Sequence, residues 1–278
     1  MNGSCETRDV VNPLGQPGPA SFDPAFFKVL HAAEDRHFWF RSRNRIIAAA
    51  LQYIDAQLQP GYWAIEGGCG SGNTLRVLDH ACAKGRIIGA DLFGEGFAVA
   101  RTRSASQLMR LDLSRLPFRR AFSVVALFDV LEHLPDDCGI LCAIRDALVE
   151  GGWLMLTVPR DPDLWSDTDD FVCHARRYRD TELREKLINS GFDIEYFTPF
   201  MTIMRLLLPL SRKTHESPHR GELDRERAHT HFQEELRVRP IVNPIMEAIL
   251  GLEAHWVRYR KTLPTGASLL VVARKKCA

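Results

Sequence analysis

YWAIEGGCGSGNTLRVLDHACAKGRIIGAD, residues 62 to 91, decides the fold. A short apolar run, Trp63-Ala64-Ile65, leads into an acid, Glu66. A glycine-rich loop follows, Gly67-Gly68-Cys69-Gly70-Ser71-Gly72. Leu75, Val77, Leu78 and Ala81 then recur at helical spacing, and a second apolar run, Ile87 to Ala90, ends in Asp91. The pattern predicts strand, glycine loop, helix, strand: one βαβ unit with a crevice at the carboxyl ends of its strands. Glycines there let the backbone turn sharply and lie against a ligand, with a helix N-terminus behind it.

The spacing separates candidate ligands. Gly68, Gly70 and Gly72 read G-x-G-x-G, and the dinucleotide pattern G-x-G-x-x-G would need a glycine where Asn73 stands. No G-K-[ST] ending follows, which excludes a P-loop. Glu66 repels a pyrophosphate but can pair with a cationic amino group, and Asp91 is placed to accept two ribose hydroxyls. A ligand with a ribose, a positive end and no phosphate fits both acids.

With these residues in place, the stretch resembles motifs I and II of the class I S-adenosylmethionine (SAM) methyltransferases. The resemblance implies that Gly68, Cys69, Gly70 and Gly72 lie under the methionine part of SAM. It implies too that Asp91, followed by Leu92, holds the ribose. LDLSRLPF, residues 111 to 118, resembles the third motif of that family, which assigns Asp112 to the adenine amino group and Leu113 to the ring. The other reading of Asp112 is an Asx turn. DVLEHLPDD, residues 129 to 137, resembles the D-V-L-E-H-L sequence after the fourth strand of these enzymes. That makes Phe128, Asp129 and His133 candidates near the methyl group. His133 can act as a base near neutral pH or simply cap a helix.

Composition bounds the rest. The chain has 278 residues, a net charge of +1 and seven cysteines. That size suits one large domain or a domain with an appendage. The near-zero charge offers no global electrostatic case for nucleic acid or a membrane surface. Scattered, odd-numbered cysteines predict a reducing, cytoplasmic setting rather than a disulfide framework. No run reaches the ~20 apolar residues of a membrane span. Cys138 and Cys142, without a C-x-x-C pair, read as buried inert thiols, so no metal is expected.

Residues 1–21 read as a disordered leader and 22–60 as an N-terminal helical flap. In that flap Phe38, Trp39 and Phe40 stand beside Arg36, Arg41, Arg43 and Arg45, ahead of a helix carrying Ile46, Ile47, Ala50, Leu51 and Ile54. The stretch serves either as a hydrophobic staple or as a cover over the cofactor. A similar H-[FW]-W-F-x-x-R stretch precedes motif I in many bacterial small-molecule methyltransferases, and by that resemblance Arg43 is the arginine for the SAM carboxylate. Residues 61–200 form the SAM-binding core. Within it, AFSVVALFD (121–129) reads as a buried central strand. Residues 160–173 read as a polar loop, and Asp180 as the cap of the helix after it. H-A-R-R-Y-R, 174–179, is familiar from the same enzymes; His174 and Tyr178 are the further catalytic candidates, with packing and solvated charge as the alternative.

Residues 201–262 predict a helical or mobile insertion over the site, with MTIMRLLLPL (201–210) as lid, dimer face or peripheral membrane contact. His215, His219, His229 and His231 fall inside it. Residues 263–278 supply the last strand. By the resemblance the fold is an α/β, Rossmann-like doubly wound sheet of seven strands, order 3-2-1-4-5-7-6, with strand 7 antiparallel. The expected reaction is methyl transfer from SAM to a small-molecule acceptor, anionic or lipid- or isoprenoid-like, with S-adenosylhomocysteine as product. A homodimer is compatible with it. A SAM-binding protein without transfer activity and a NAD-dependent Rossmann enzyme are the rivals. A nucleic-acid methyltransferase would show [DN]-P-P-[YFW] after strand four, and FDVLEH does not.

Overall fold

A computed structural model describes residues 26–212 and 232–277. The expected leader and the histidine group at 215–231 lie outside the described residues. Seven strands form one sheet in the order β3-β2-β1-β4-β5-β7-β6. They are β1 (Trp63–Gly67), β2 (Arg86–Asp91), β3 (Gln107–Arg110), β4 (Phe122–Phe128), β5 (Leu148–Pro159), β6 (Phe192–Phe200) and β7 (Ser268–Lys275). The first five pair in parallel, and β7 runs antiparallel between β5 and β6. The order turns back between β1 and β4, and a ligand crevice in such a sheet opens at that switch point. Val124, Ala126 and Leu127 in β4 are fully buried, as a central parallel strand requires.

Helices cover both faces. On one side lie α1 (Phe26–Glu34), α2 (Phe38–Gln57), α3 (Leu75–Ala81) and α4 (Phe97–Arg103). On the other lie α5 (Asp137–Ala147) and α7 (Asp180–Asn189), with the short α6 (Asp167–Phe171) at the strand ends. Ile46, Ile47, Leu51 and Ile54 of α2 pack with Leu75 and Leu78 of α3 on the first face. Leu141, Ile144, Leu183 and Leu187 fill the second. After β6 come α8 (Thr202–Arg212) and α9 (Val242–Arg258), and α9 lies along α2.

Four local expectations change. Helix α2 begins at Phe38, so the three aromatics sit inside it, with His37 as N-cap accepting from the Trp39 N–H at 3.3 Å. The stretch expected as a polar loop folds into α6 because Ser166 and Asp169 form a reciprocal capping box. Arg179, not Asp180, occupies the cap of α7, and Asp180 instead binds Arg160 Nε at 2.6 Å. Cys138 and Cys142 are exposed and half-buried, so the reading of both as buried thiols is corrected. They lie near the polar start and outer side of α5, whose inward positions are Ile140, Leu141 and Ile144.

Candidate active site

The glycine loop is shaped by backbone that only glycine adopts freely. Gly68, Gly70 and Gly72 have φ of +75°, +49° and +78°. A Cβ on Gly68 would sit 2.3 Å from Val130 Cγ2, so the loop rests directly on the turn that ends β4. Helix α1 holds the loop from outside. Ser71 Oγ donates to Glu34 at 2.6 and 2.8 Å, and Arg103 pairs with the same carboxylate.

Around the loop, buried polar atoms lack protein partners among the described residues. Glu66 is fully buried; one oxygen accepts from Thr74 Oγ1 and Oε2 accepts nothing. Arg43 Nε and Asn73 Nδ2 are likewise unsatisfied. Buried groups normally find partners, so this set marks a place for a polar ligand. One acid and two donors fit an amino group and a carboxylate on one molecule. Burial raises the Glu66 carboxyl to about 8, with Arg43 and the Thr74 hydrogen bond opposing the rise.

Asp91 ends β2 and is nearly buried. Its oxygens accept from the N–H of Gly70 and of Phe93, each at 2.8 Å, which orients the carboxylate and leaves a second lone pair on each. Burial raises its pKa against those hydrogen bonds. Leu92 beside it is 45% exposed, and Cys69 is buried under the loop. Asp112 accepts from Ser114 N at 2.9 Å and from Ser114 Oγ at 2.6 Å, the Asx-turn reading of that residue. Leu113 packs below Gly67.

Arg43 reaches the end of β4 and pairs with Asp129, with its guanidinium 4.9 Å from the Trp39 ring. Asp129 also accepts from Thr157 Oγ1 at 3.0 Å and holds a φ of +56°. Strain of this kind collects at functional sites. The guanidinium expected on a ligand carboxylate is thus engaged by a protein acid. Phe128 is buried in the core on the α2 side.

Beyond Asp129 the turn carries Glu132 and His133. The rings of His133 and His174 meet edge to face, 4.8 Å between centroids. His133 Nδ1 lies 3.3 Å from the Cys173 carbonyl, and His174 Nδ1 lies 2.8 Å from Asp169 Oδ1. Burial, reinforced by His174, lowers His133 to about 4. Burial would raise Asp169, but hydrogen bonds from His174 and Arg177 hold it at about 2. Glu132 is fully buried and neither oxygen makes a hydrogen bond among the described residues, although Oε1 lies 3.8 Å from His174 Nε2; burial beside Asp129 pushes its carboxyl well above the carboxylate range. Glu132, His133 and His174 each offer one atom within 4.8 Å of the others, a donor set a cation can use. Tyr178 is not brought to this pair. It is fully buried and its hydroxyl donates to Asp137 at 2.9 Å.

Two members of the site were not singled out from sequence. Glu132 stands inside the quoted DVLEHL run. Asp169 was hidden in the apparent loop, although S-x-x-D at 166–169 is a capping-box signature.

A seven-stranded sheet of this order, with a glycine loop after β1 and acids at successive strand ends, is the Rossmann-like fold of the class I methyltransferases. Residues 65–156 match the family model described as a methyltransferase domain. The ubiquinone biosynthesis O-methyltransferase of Burkholderia pseudomallei is 25% identical over 142 residues, covering 48% of this chain and 60% of that protein. The chain therefore spans less than two thirds of that relative's length. Among solved structures, the methyltransferase crystallised with the Trm112 methyltransferase activator of Haloferax volcanii matches with a TM-score of 0.57 and 19% identity, over 91% of this chain and 96% of that one. The cyclase SpnF matches with a TM-score of 0.51 and 19% identity, over 95% and 85%. These two likenesses concern the fold. Residues 65–156 therefore carry a methyltransferase domain of the class I SAM-dependent kind.

Proposed function

We propose that this protein transfers a methyl group from SAM to a hydroxyl oxygen of a small, largely apolar acceptor. The observation that carries the reading is the half-buried His133–His174 pair, whose His133 follows the Val130 turn that rests against the glycine loop. The same fold serves a cyclase, so the fold alone does not imply transfer; a candidate base beside the cofactor loop supports it. The names of the curated relatives, O-methyltransferases of ubiquinone biosynthesis, support oxygen as the acceptor atom and an isoprenoid-like acceptor.

SAM supplies an activated methyl on a sulfonium. The chain has the remaining tasks: align the acceptor, exclude water and take a proton. In this reading Glu66, Asn73 and Arg43 hold the amino-acid end, and Asp91 holds the ribose. Gly68, Cys69, Gly70 and Gly72 form the floor, Leu92, Asp112 and Leu113 flank the adenosine, and Phe128 backs the methyl end from the core. Asp129 keeps Arg43 in place. The carbonyl opposite His133 Nδ1 sets the proton on that nitrogen and makes Nε2 the basic atom. Asp169 orients His174, whose ring meets that of His133 edge to face and fixes its position. Residues 22–60 act as a flap and 201–262 as a roof over the 61–200 core.

The test is incubation with methyl-labelled SAM and a panel of prenylated catechols, amines and carboxylic acids. Label should move to a catechol oxygen. Label moving only to nitrogen, or staying on SAM across the panel, contradicts the proposal.

A further inference from the structure

Helix α9 divides its residues sharply between two sides. Asn243, Met246, Leu250, Glu253 and Val257 face the protein. Both acids of the helix are consumed there. Glu253 accepts from the backbone N–H of Met201 at 2.6 Å and of Thr202 at 2.8 Å. Glu247 pairs with Arg41 at 3.2 Å and with Arg45. The outward side is apolar. At about 100° per residue, Ile245, Ile249, Leu252 and Trp256 fall in a sector about 60° wide. Their exposures are 54%, 43%, 66% and 47%, and Ile241 and Tyr259 extend the stripe at 75% and 62%. Basic residues stand at both ends, Arg239 before the helix, Arg258 as its last residue and Lys261 after it, all exposed.

Aqueous exposure of six large side chains in one row is costly, and such rows mark contact surfaces. The charges select the occupant. Two copies of this chain packed stripe to stripe would set basic ends against basic ends in either orientation. An anionic lipid surface satisfies both ends and the apolar row together. Among the described residues no helix is long and apolar enough to cross a membrane, so α9 would lie in the interfacial plane. The Trp256 and Tyr259 rings suit the headgroup layer.

We propose that the outward face of α9 seats the protein on an anionic bilayer. The helix is coupled to the candidate site. Asn243 accepts from Phe38 N and donates to the Arg36 carbonyl, each at 2.8 Å, which ties α9 to the start of α2, whose Arg43 pairs with Asp129. Seating therefore reaches the candidate site through α2, which packs on the inward side of α9. It stands independently of which acceptor is methylated.

The test is co-sedimentation of the full chain with vesicles of phosphatidylcholine, with and without about 30% phosphatidylglycerol. Binding to the anionic vesicles should be at least about tenfold tighter and should weaken with salt. The double variant I249E/L252E should lose about tenfold or more of it while its melting temperature and SAM affinity stay unchanged. Should that variant not fold, the wild-type fluorescence decides: a blue shift on anionic vesicles that Trp256→Phe removes supports the proposal. Equal binding by the folded double variant, no binding to either vesicle, or no such blue shift overturns it. So does a dimer in solution that I249E/L252E splits, found together with no vesicle binding.

Discussion

Glu66 is the residue whose state is most tied to its ligand. Its carboxyl titrates at about 8 in the free protein, so near neutrality it is mostly protonated. A cationic amino group pairs with the ionised form only, so binding must release a proton. Between about pH 6 and about pH 7.5, below the ~8 of the ligand's own amino group, SAM affinity should therefore rise by up to ~10-fold per pH unit. Calorimetry in buffers of different ionisation enthalpy measures the released proton, and Glu66→Gln should abolish both the slope and the release. Asp91→Ala should weaken SAM at least about tenfold, because the carboxylate also orients the Gly70 N–H; unchanged affinity removes the ribose assignment. His133, lowered to about 4, is already neutral from about pH 5 upward. The profile of kcat/KM should then lack an acid limb near ~6.5, where an unperturbed histidine would place one. His133→Asn should lower kcat by about 10²-fold or more with SAM binding intact.

Among the elements, the glycine loop and its supports are the least tolerant of change. A Cβ on Gly72 would lie 2.8 Å from Ala100 Cα of α4, at a φ of +78°. Backbone of that helix cannot yield as a flexible side chain would. Gly72→Ala should cost about 1–3 kcal/mol in urea unfolding and weaken SAM binding as well. A variant as stable as the wild type would contradict the packing described here. Elements were legible where period and punctuation agreed. The βαβ unit and the buried β4 run each carried a local signal that packing did not override. The start of α2 was obscured because His37-Phe38-Trp39-Phe40 has no Ser, Thr, Asp or Asn cap, and a histidine does that work instead. Helix α6 was missed because it is five residues long with an acidic, weakly apolar sequence. Its existence matters, since Asp169 within it orients His174.

At the scale of the whole molecule, the topology followed from chain order once the resemblance was made. Parallel neighbours arrived in sequence, and a late strand after a long excursion had one place to go, between β5 and β6. Glu66 and Asp91, the acids proposed for the ligand, were legible as candidates because each stands at the end of a strand on one side of the switch point. The 132–174 constellation was less so. His133 and His174 are both visible in sequence, but their contact depends on the turn from Asp167 to Ala175 folding back, where Ala175 N donates to the Glu132 carbonyl at 2.8 Å. The outward face of α9 was readable only as amphipathic, since which side the protein buries is decided by α2 and α8. We propose that the crevice selects SAM over a dinucleotide through Glu66, the G-x-G-x-G spacing and Asp91. Titration calorimetry with S-adenosylhomocysteine and with NAD separates the two ligands. Saturable binding of S-adenosylhomocysteine, lost in Asp91→Ala and absent for NAD, is the predicted result; tight NAD binding without S-adenosylhomocysteine binding would contradict it.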